Sequence, residues 1–263
     1  MLDSQQKISQ WEKAEIERSF FEAETKSVND LKVNKSIIER YLSAEEKTAY
    51  PLEYMHFLLG DLSSKKVLDF GCGDGENSIL IAERGANLVG IDISTELLSL
   101  ANKRMKLHGF VEKSKFFTAS AHSLPFEDET FDVIFGKSIL HHLDLPTTEK
   151  EIYRVLKKGG KAIFLEPVRN SKFIKFIRNL IPYQQKDVSP YERPLTDSEI
   201  RDFSKRFSKF ESRMFSLPFV NLIKILPINE KWIHRSIKLD GKILKKFGFA
   251  DNFATICVFT ITK

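Results

Sequence analysis

Three acids and three glycines stand where chemistry could be done. Asp69, Gly71, Gly73 and Gly75 fall in the run VLDFGCGDG, and Asp92 closes the run LVGID twenty-one residues past Gly71. An apolar run that opens into glycines and then a helical pattern is a nucleotide-binding turn. Glycine lets backbone approach a ligand closely and takes positive φ. A dinucleotide fold spaces its glycines G-x-G-x-x-G, so that a pyrophosphate rests on a helix N-terminus. Here the spacing is G-x-G-x-G, and Asp69 two residues ahead would repel a pyrophosphate. The pattern favours a ligand that carries positive charge near the turn. Asp92 at a strand end can accept the two hydroxyls of a ribose, a role that does not by itself discriminate among nucleotides. Further along, His141 and His142 follow one apolar run and Glu166 ends another. A histidine or an acid at such a place can serve as a general base for an alcohol or amine.

S-adenosylmethionine has the required character: an ammonium, a sulfonium and no phosphate. Whatever the ligand, the elements that carry these residues alternate. Short apolar runs at Lys66–Phe70, Leu88–Asp92, Lys115–Ala119, Phe131–Phe135 and Lys161–Glu166 read as strands. Helical patterns lie between them at about Glu76–Arg84, Thr95–His108 and Thr147–Leu156. Such alternation predicts an α/β fold with a parallel sheet and right-handed crossovers. Ligands of such sheets sit at the carboxyl ends of the strands, which is where all the residues named so far fall.

The stretch from Lys66 to Glu166 resembles the class I S-adenosylmethionine-dependent methyltransferases of the small-molecule type. Four motifs occur in order: VLDFGCGDG, VGIDIS, FTASAHSLPFEDETFDVIF and SILHHLDLPTTEKEIYRVLKKGGKAIFLEP. The resemblance implies a doubly wound, Rossmann-like, seven-stranded and mostly parallel sheet with an antiparallel last strand. It implies S-adenosylmethionine as cofactor and S-adenosylhomocysteine as product, and it carries no metal site. Asp69, Gly71, Cys72 and Gly73 would lie by the methionine part, as would Lys137. Asp92 would take the ribose, Ile93 would pack on adenine, and Ser120, Ala121 and His122 would edge it. The family often has Asp where Ser120 stands, and a hydroxyl bonds an amino group more weakly than a carboxylate does. Each of these residues also has a plainer reading: a tight turn for the glycines, a surface loop for His122, a hydrogen-bonded anchor for Glu166 and loop orientation for one of the two histidines.

The rest of the chain bounds the function. It has 263 residues, 42% hydrophobic and 29% charged, enough for a large core without staples. Two cysteines are too few for a disulfide framework, for arsenic methylation or for a radical iron–sulfur cluster, and Cys257 reads as a small buried residue. After the fourth strand the sequence is GKSILHH, without the prolines that mark amino methylation of nucleobases. The start is polar where a leader would be apolar, and no run approaches the ~20 apolar residues of a membrane span. These features lead to the expectation of a cytoplasmic protein.

Residues 1–62 read as a helical segment, with Pro51 restarting a helix at its first turn, and 63–263 as the methyltransferase domain. Two long segments, about 167–195 and 218–252, break the pattern at the ligand edge and, with the N-terminal helices, are expected to form a lid. Tyr41 and Tyr50 are expected either to close over the cofactor or to pack in the core. Between the segments, Thr196 and Glu199 form a capping box. Residues 167–263 carry 19 Lys+Arg against 9 Asp+Glu, a net +10, which leaves 1–166 at −5. In the lid segments Phe173, Phe176, Ile177, Leu180, Phe219, Leu222, Ile223 and Leu226 are interleaved with Lys172, Lys175, Arg178, Lys224, Arg235 and Lys238. This composition suits lid packing, an apolar or aromatic small-molecule acceptor with an anionic group, or peripheral contact with an anionic membrane. Nucleic acid ranks last, because no RNA-binding module accompanies the charge. The expected function is methyl transfer to a small molecule, with O-methylation favoured. The alternatives are C-methylation of a quinone or prenyl-type lipid precursor, an RNA methyltransferase, and a non-catalytic cofactor-binding partner.

Overall fold

The computed structural model of the chain describes residues 4–171, 193–218 and 229–263. Seven strands form one sheet: β1 (Lys66–Phe70), β2 (Asn87–Asp92), β3 (Ser114–Thr118), β4 (Phe131–Lys137), β5 (Leu156–Pro167), β6 (Lys209–Phe215) and β7 (Ile256–Thr262), in the order β3-β2-β1-β4-β5-β7-β6. The first five are mutually parallel, and β7 runs antiparallel to both β5 and β6. This is the doubly wound, Rossmann-like architecture expected of the chain. The order reverses at β1, which has β2 on one side and β4 on the other. Successive crossovers therefore leave a crevice at the carboxyl end of β1.

The described helices are α1 (Ser4–Glu24), α2 (Lys35–Leu42), α3 (Pro51–Leu59), α4 (Glu76–Glu83), α5 (Thr95–Leu107), α6 (Leu145–Val155), α7 (Asp197–Ser204) and α8 (Glu230–Lys246). The central strands are buried on both faces, as parallel strands are, and alternate residues serve opposite layers. Leu68, Phe70, Ile134 and Phe164 pack with Ile152 of α6 and Phe203 of α7. Val67, Phe135 and Ile163 pack with Met55 and Leu59 of α3, Ile79 of α4 and Met105 of α5. Cys257 is fully buried in the first layer.

Local chemistry sets the boundaries. Ser94 caps α5 by accepting from Leu97 N, and Asp144 caps α6 by accepting from Thr147 N. Thr196 and Glu199 close the capping box of α7, and Pro51 opens α3. The fifth strand differs from its expected span. It starts at Leu156, not Lys161, because Leu156 pairs with Phe131 before the register shifts between Phe131 and Val133. Gly159, at φ +73°, takes up that irregularity.

Candidate active site

The carboxyl ends of β1, β2, β4 and β5 border a cavity of ≈ 640 Å³. Asp69, Gly71, Cys72, Gly73, Asp92, Ile93, Ala121, His122, Lys137, His141 and His142 all line it. Ser120 and Glu166 stand just behind this lining and hold parts of it.

The glycine turn is shaped by backbone that only glycine adopts readily. Gly71 has φ +73° and Gly73 φ +53°. A Cβ on Gly71 would come within 2.7 Å of Ile139 Cδ1, whereas a Cβ on Gly73 would meet no protein atom within 4 Å. Gly71 is thus fixed by packing, and Gly73 presents bare backbone to the open cavity. The N–H of Gly73 donates to Asp92 Oδ2 at 2.8 Å, and Ser94 N–H donates to Oδ1 at 3.0 Å. The Ile93 N–H also pulls on this carboxylate, and since a carboxylate has about four acceptor sites, acceptor capacity remains for a ligand hydroxyl. Burial raises the Asp92 carboxyl above its usual range, against the pull of the Ser94, Gly73 and Ile93 N–H groups. Asp69 is buried too and receives Ser78 Oγ at 2.6 Å. Burial pushes its carboxyl up to about 7, Ser78 opposes this, and repulsion from Asp92 adds to it. Two carboxylates strained by burial in one cavity wall favour a cationic occupant.

The loop after β4 hangs on Glu166. This fully buried carboxylate accepts Ile139 N–H at 3.0 Å and Leu140 N–H at 2.8 Å through Oε1, and it lies 2.7 Å from His141 Nδ1 through Oε2. With Nδ1–H given to Glu166, the lone pair of a neutral His141 imidazole is on Nε2. The His142 ring packs on the His141 ring with centroids 4.1 Å apart.

The roof is α1. Trp11, Glu12, Glu15, Arg18, Ser19 and Glu22 fall at helical spacing on one face and line the cavity. Glu12 Oε1 pairs with Ser120 Oγ and with His122 Nδ1, the latter at 3.2 Å. Because Asp144 N–H donates to His122 Nε2 at 3.0 Å, the proton of a neutral His122 is on Nδ1, facing Glu12. Glu15 meets His142 Nδ1 at 3.1 Å and Arg18 Nε at 3.0 Å. Burial pushes the Glu15 carboxyl up, but His142 and Arg18 outweigh it and hold the group down at about 2. At the far end Asp74 is bound by buried Arg104 at 2.7 Å and by Lys26 at 3.4 Å.

These roof residues were not among the sequence candidates. Their signal is a polar stripe at i, i+3 and i+4, which reads as a solvent face. Tyr41 and Tyr50 do not reach the cavity: the Tyr41 ring packs on His56, and Tyr50 Oη is 2.7 Å from His234 Nδ1. The expected apolar lid residues Phe173, Phe176, Ile177, Leu180, Phe219, Leu222, Ile223 and Leu226 lie outside the described residues, as do Lys172, Lys175, Arg178 and Lys224. Arg235 and Lys238 are described and do not line the cavity. Its charged lining is mostly acidic: Glu12, Glu15, Glu22, Asp69, Asp74, Glu76 and Asp92, against Arg18, Lys26 and Lys137.

The seven-stranded order β3-β2-β1-β4-β5-β7-β6 with an antiparallel β7, carrying a glycine turn at the end of β1 and an acid at the end of β2, matches the Rossmann-like methyltransferase fold. Residues 68–164 match the family model described as a methyltransferase domain, and the chain carries such a domain. It is 30% identical over 135 residues to a demethylmenaquinone methyltransferase of Lactococcus lactis, covering 48% of this chain and 53% of that one. It is 36% identical over 109 residues to a sterol 4-C-methyltransferase of Caenorhabditis elegans, covering 41% and 33%. The chain thus spans about half or less of the length of these relatives. Among solved structures, geranyl diphosphate C-methyltransferase of Streptomyces coelicolor, in complex with magnesium, geranyl diphosphate and S-adenosylhomocysteine, shares the fold at a TM-score of 0.61 and 14% identity, over 96% of this chain and 97% of that one. Among the described residues no helix is long and apolar enough to cross a membrane, and no cluster of His, Cys, Asp and Glu could hold a metal ion.

Proposed function

We propose that this chain transfers a methyl group from S-adenosylmethionine to a small-molecule acceptor. The observation that carries the reading is the acid-lined cleft at the switch point, with Asp92 pinned by Gly73 and Ser94 N–H groups beneath a glycine turn. When bound, the cofactor supplies an electrophilic methyl group on a sulfonium. The chain supplies placement and charge. Asp92 accepts a ribose hydroxyl, Ile93 and Ala121 pack on the base, and Gly71, Cys72 and Gly73 run beneath the methionine part with Lys137 at its side. Asp69 lends negative charge to the cationic end, and α1 covers the site and excludes water.

On the acceptor side, His141 takes a proton at Nε2, and Glu166 both orients the ring and stabilises the imidazolium that forms. A hydroxyl acceptor makes use of such a base, so O-methylation is the favoured chemistry. Relatives with C-methyltransferase in their names make transfer to carbon of a quinone or prenyl-type acceptor the second reading. The acidic lining disfavours an RNA substrate, since phosphates would be repelled at the cleft. The test is a labelled-methyl screen: the protein, isotope-labelled S-adenosylmethionine and a metabolite extract, with mass spectrometry of labelled products. A labelled small molecule, lost on replacing Asp92 by Ala, supports the reading. Label in RNA or protein alone, or cofactor binding with no transfer to anything, contradicts it.

A further inference from the structure

α8 is a poor fit to the domain that carries it. Of its 17 residues only Asp240 is buried. Asp240 acts as a hook, accepting Leu217 N–H at 2.8 Å. The opposite side of the helix is exposed and has two kinds of side chain. Trp232 (56% exposed) and Leu239 (57%) share a stripe with Arg235, Lys242 and Lys246, at spacings of three and four residues, and Lys231 and Lys238 flank it. Just past the helix end, Phe247 (41%) and Phe249 (68%) extend the apolar part. The helix has six basic residues, Lys231, Arg235, Lys238, Lys242, Lys245 and Lys246, and Glu230 is its single exposed acid. Lys245 bonds the Lys47 carbonyl at 3.3 Å, and the Arg235 guanidinium stacks over Trp232 at 5.1 Å. Among the described residues, none of Lys231, Lys238, Lys242 and Lys246 is paired with a carboxylate.

The helix also hangs at a particular edge. Ile256, which lines the cavity, pairs with Pro167 at the end of β5 on one side and with Phe215 at the end of β6 on the other. Leu217, two residues past β6, is where Asp240 attaches. The basic face of α8 is therefore borne on the ligand edge of the sheet.

We propose that α8 is a docking surface for an anionic lipid bilayer. Its lysines would meet lipid head groups, while Trp232, Leu239, Phe247 and Phe249 enter the interface. Charge complementarity selects the occupant together with the apolar side chains. A bilayer surface takes up both, whereas a nucleic-acid backbone has no use for Leu239, Phe247 and Phe249. A weakly buried helix gains the apolar contacts that the domain does not provide, and the ligand edge is brought towards the bilayer. The docking stands independently of the methyl-transfer reading.

Flotation of the full chain with vesicles decides it. One set is neutral phosphatidylcholine, and the other contains about 30% phosphatidylglycerol, enough anionic lipid to attract basic segments. Binding is expected only to the second set and is expected to fall as salt rises. The triple variant Lys238→Gln, Lys242→Gln and Lys246→Gln is expected to weaken partition about fivefold per lysine, on the order of a hundredfold together. The pair Trp232→Ala and Leu239→Ala should also release the protein. All five positions are exposed, so circular dichroism and S-adenosylhomocysteine binding should match the parent chain. Failure to bind anionic vesicles overturns the proposal. So does binding that both variants retain, and so does capture of an RNA oligomer, lost in the lysine variant, without vesicle binding.

Discussion

Replacing Glu166 by Gln separates a structural anchor from a chemical one. The carboxylate makes three contacts inside the protein, two with backbone N–H groups at 3.0 and 2.8 Å and one with His141 Nδ1 at 2.7 Å. A hydrogen bond to a charged group contributes about 1.5–3 kcal/mol and a neutral one about 0.5–1.5. The glutamine amide oxygen can keep both backbone donors, so those two bonds lose about 1 kcal/mol each. Its amide nitrogen, however, must face His141 Nδ1. That nitrogen then becomes the acceptor, and the ring proton moves to Nε2. The chain is expected to be destabilised by about 2–3 kcal/mol in urea titration. With Nε2 protonated, His141 no longer accepts a proton, and kcat is expected to drop by about 10²–10⁴, the usual contribution of a general base. Glu166 does not line the cavity, so calorimetric affinity for S-adenosylhomocysteine should stay within about threefold, under 1 kcal/mol. A variant that loses stability but keeps its rate would refute the assignment of His141 as base and leave Glu166 as a loop anchor only.

Gly71→Ala places a Cβ 2.7 Å from Ile139 at φ +73°, and Gly73→Ala places one in open space at φ +53°. The first is expected to lower the melting temperature and abolish cofactor binding, whereas the second should cost only about 1–2 kcal/mol of backbone strain while still weakening S-adenosylhomocysteine, which would meet the new methyl. Equal melting temperatures for the two would contradict the packing argument. His56 is fully buried beside Tyr41 and Phe135, and burial, with Arg84 nearby, lowers its pKa to about 3. Since the unfolded chain takes up the proton first, stability is intact above about pH 6.5 and is lost as pH falls, by about 1.4 kcal/mol per unit. His56→Leu should remove that loss, so its stability relative to the parent chain should rise by about 2–3 kcal/mol between pH 6.5 and 4.5 in urea titrations. An unchanged difference would mean that His56 is accessible to protons. Asp69, raised to about 7, ionises more readily beside a cationic ligand. Affinity for S-adenosylmethionine should therefore weaken as pH falls from 8 to 6, by up to about tenfold per unit below pH 7. Calorimetry in buffers of different ionisation enthalpy should detect proton release, and pH-independent affinity would show that Asp69 does not sense the cofactor.

The fold was legible from Lys66 to Glu166 because parallel strands buried on both faces are short apolar runs, and because glycines and caps punctuate them. The capping box at Thr196 and the proline start of α3 were legible for the same local reason. The start of β5 was not, since a strand that bends at Gly159 has no periodic signature. The roof escaped for a deeper reason. α1 turns its polar stripe inward over the cavity and leaves Ile16, Phe20 and Phe21 exposed, which inverts the usual rule that apolar faces are buried. Periodicity does not mark Glu12 and Glu15, whose partners, His122 and His142, lie more than a hundred residues away. The role of Glu166 was half legible: its place at a strand end is local, but its three partners come from another strand's exit loop.

Calorimetric titration of the chain and of Asp92→Ala with S-adenosylhomocysteine and with NAD tests the cofactor assignment most directly. S-adenosylhomocysteine is expected to bind, with affinity weakened by about 1.5–3 kcal/mol in the variant, the range for charge-assisted hydrogen bonds, and NAD is expected not to bind. Binding of NAD without S-adenosylhomocysteine, or S-adenosylhomocysteine binding that is indifferent to loss of Asp92, would contradict that assignment.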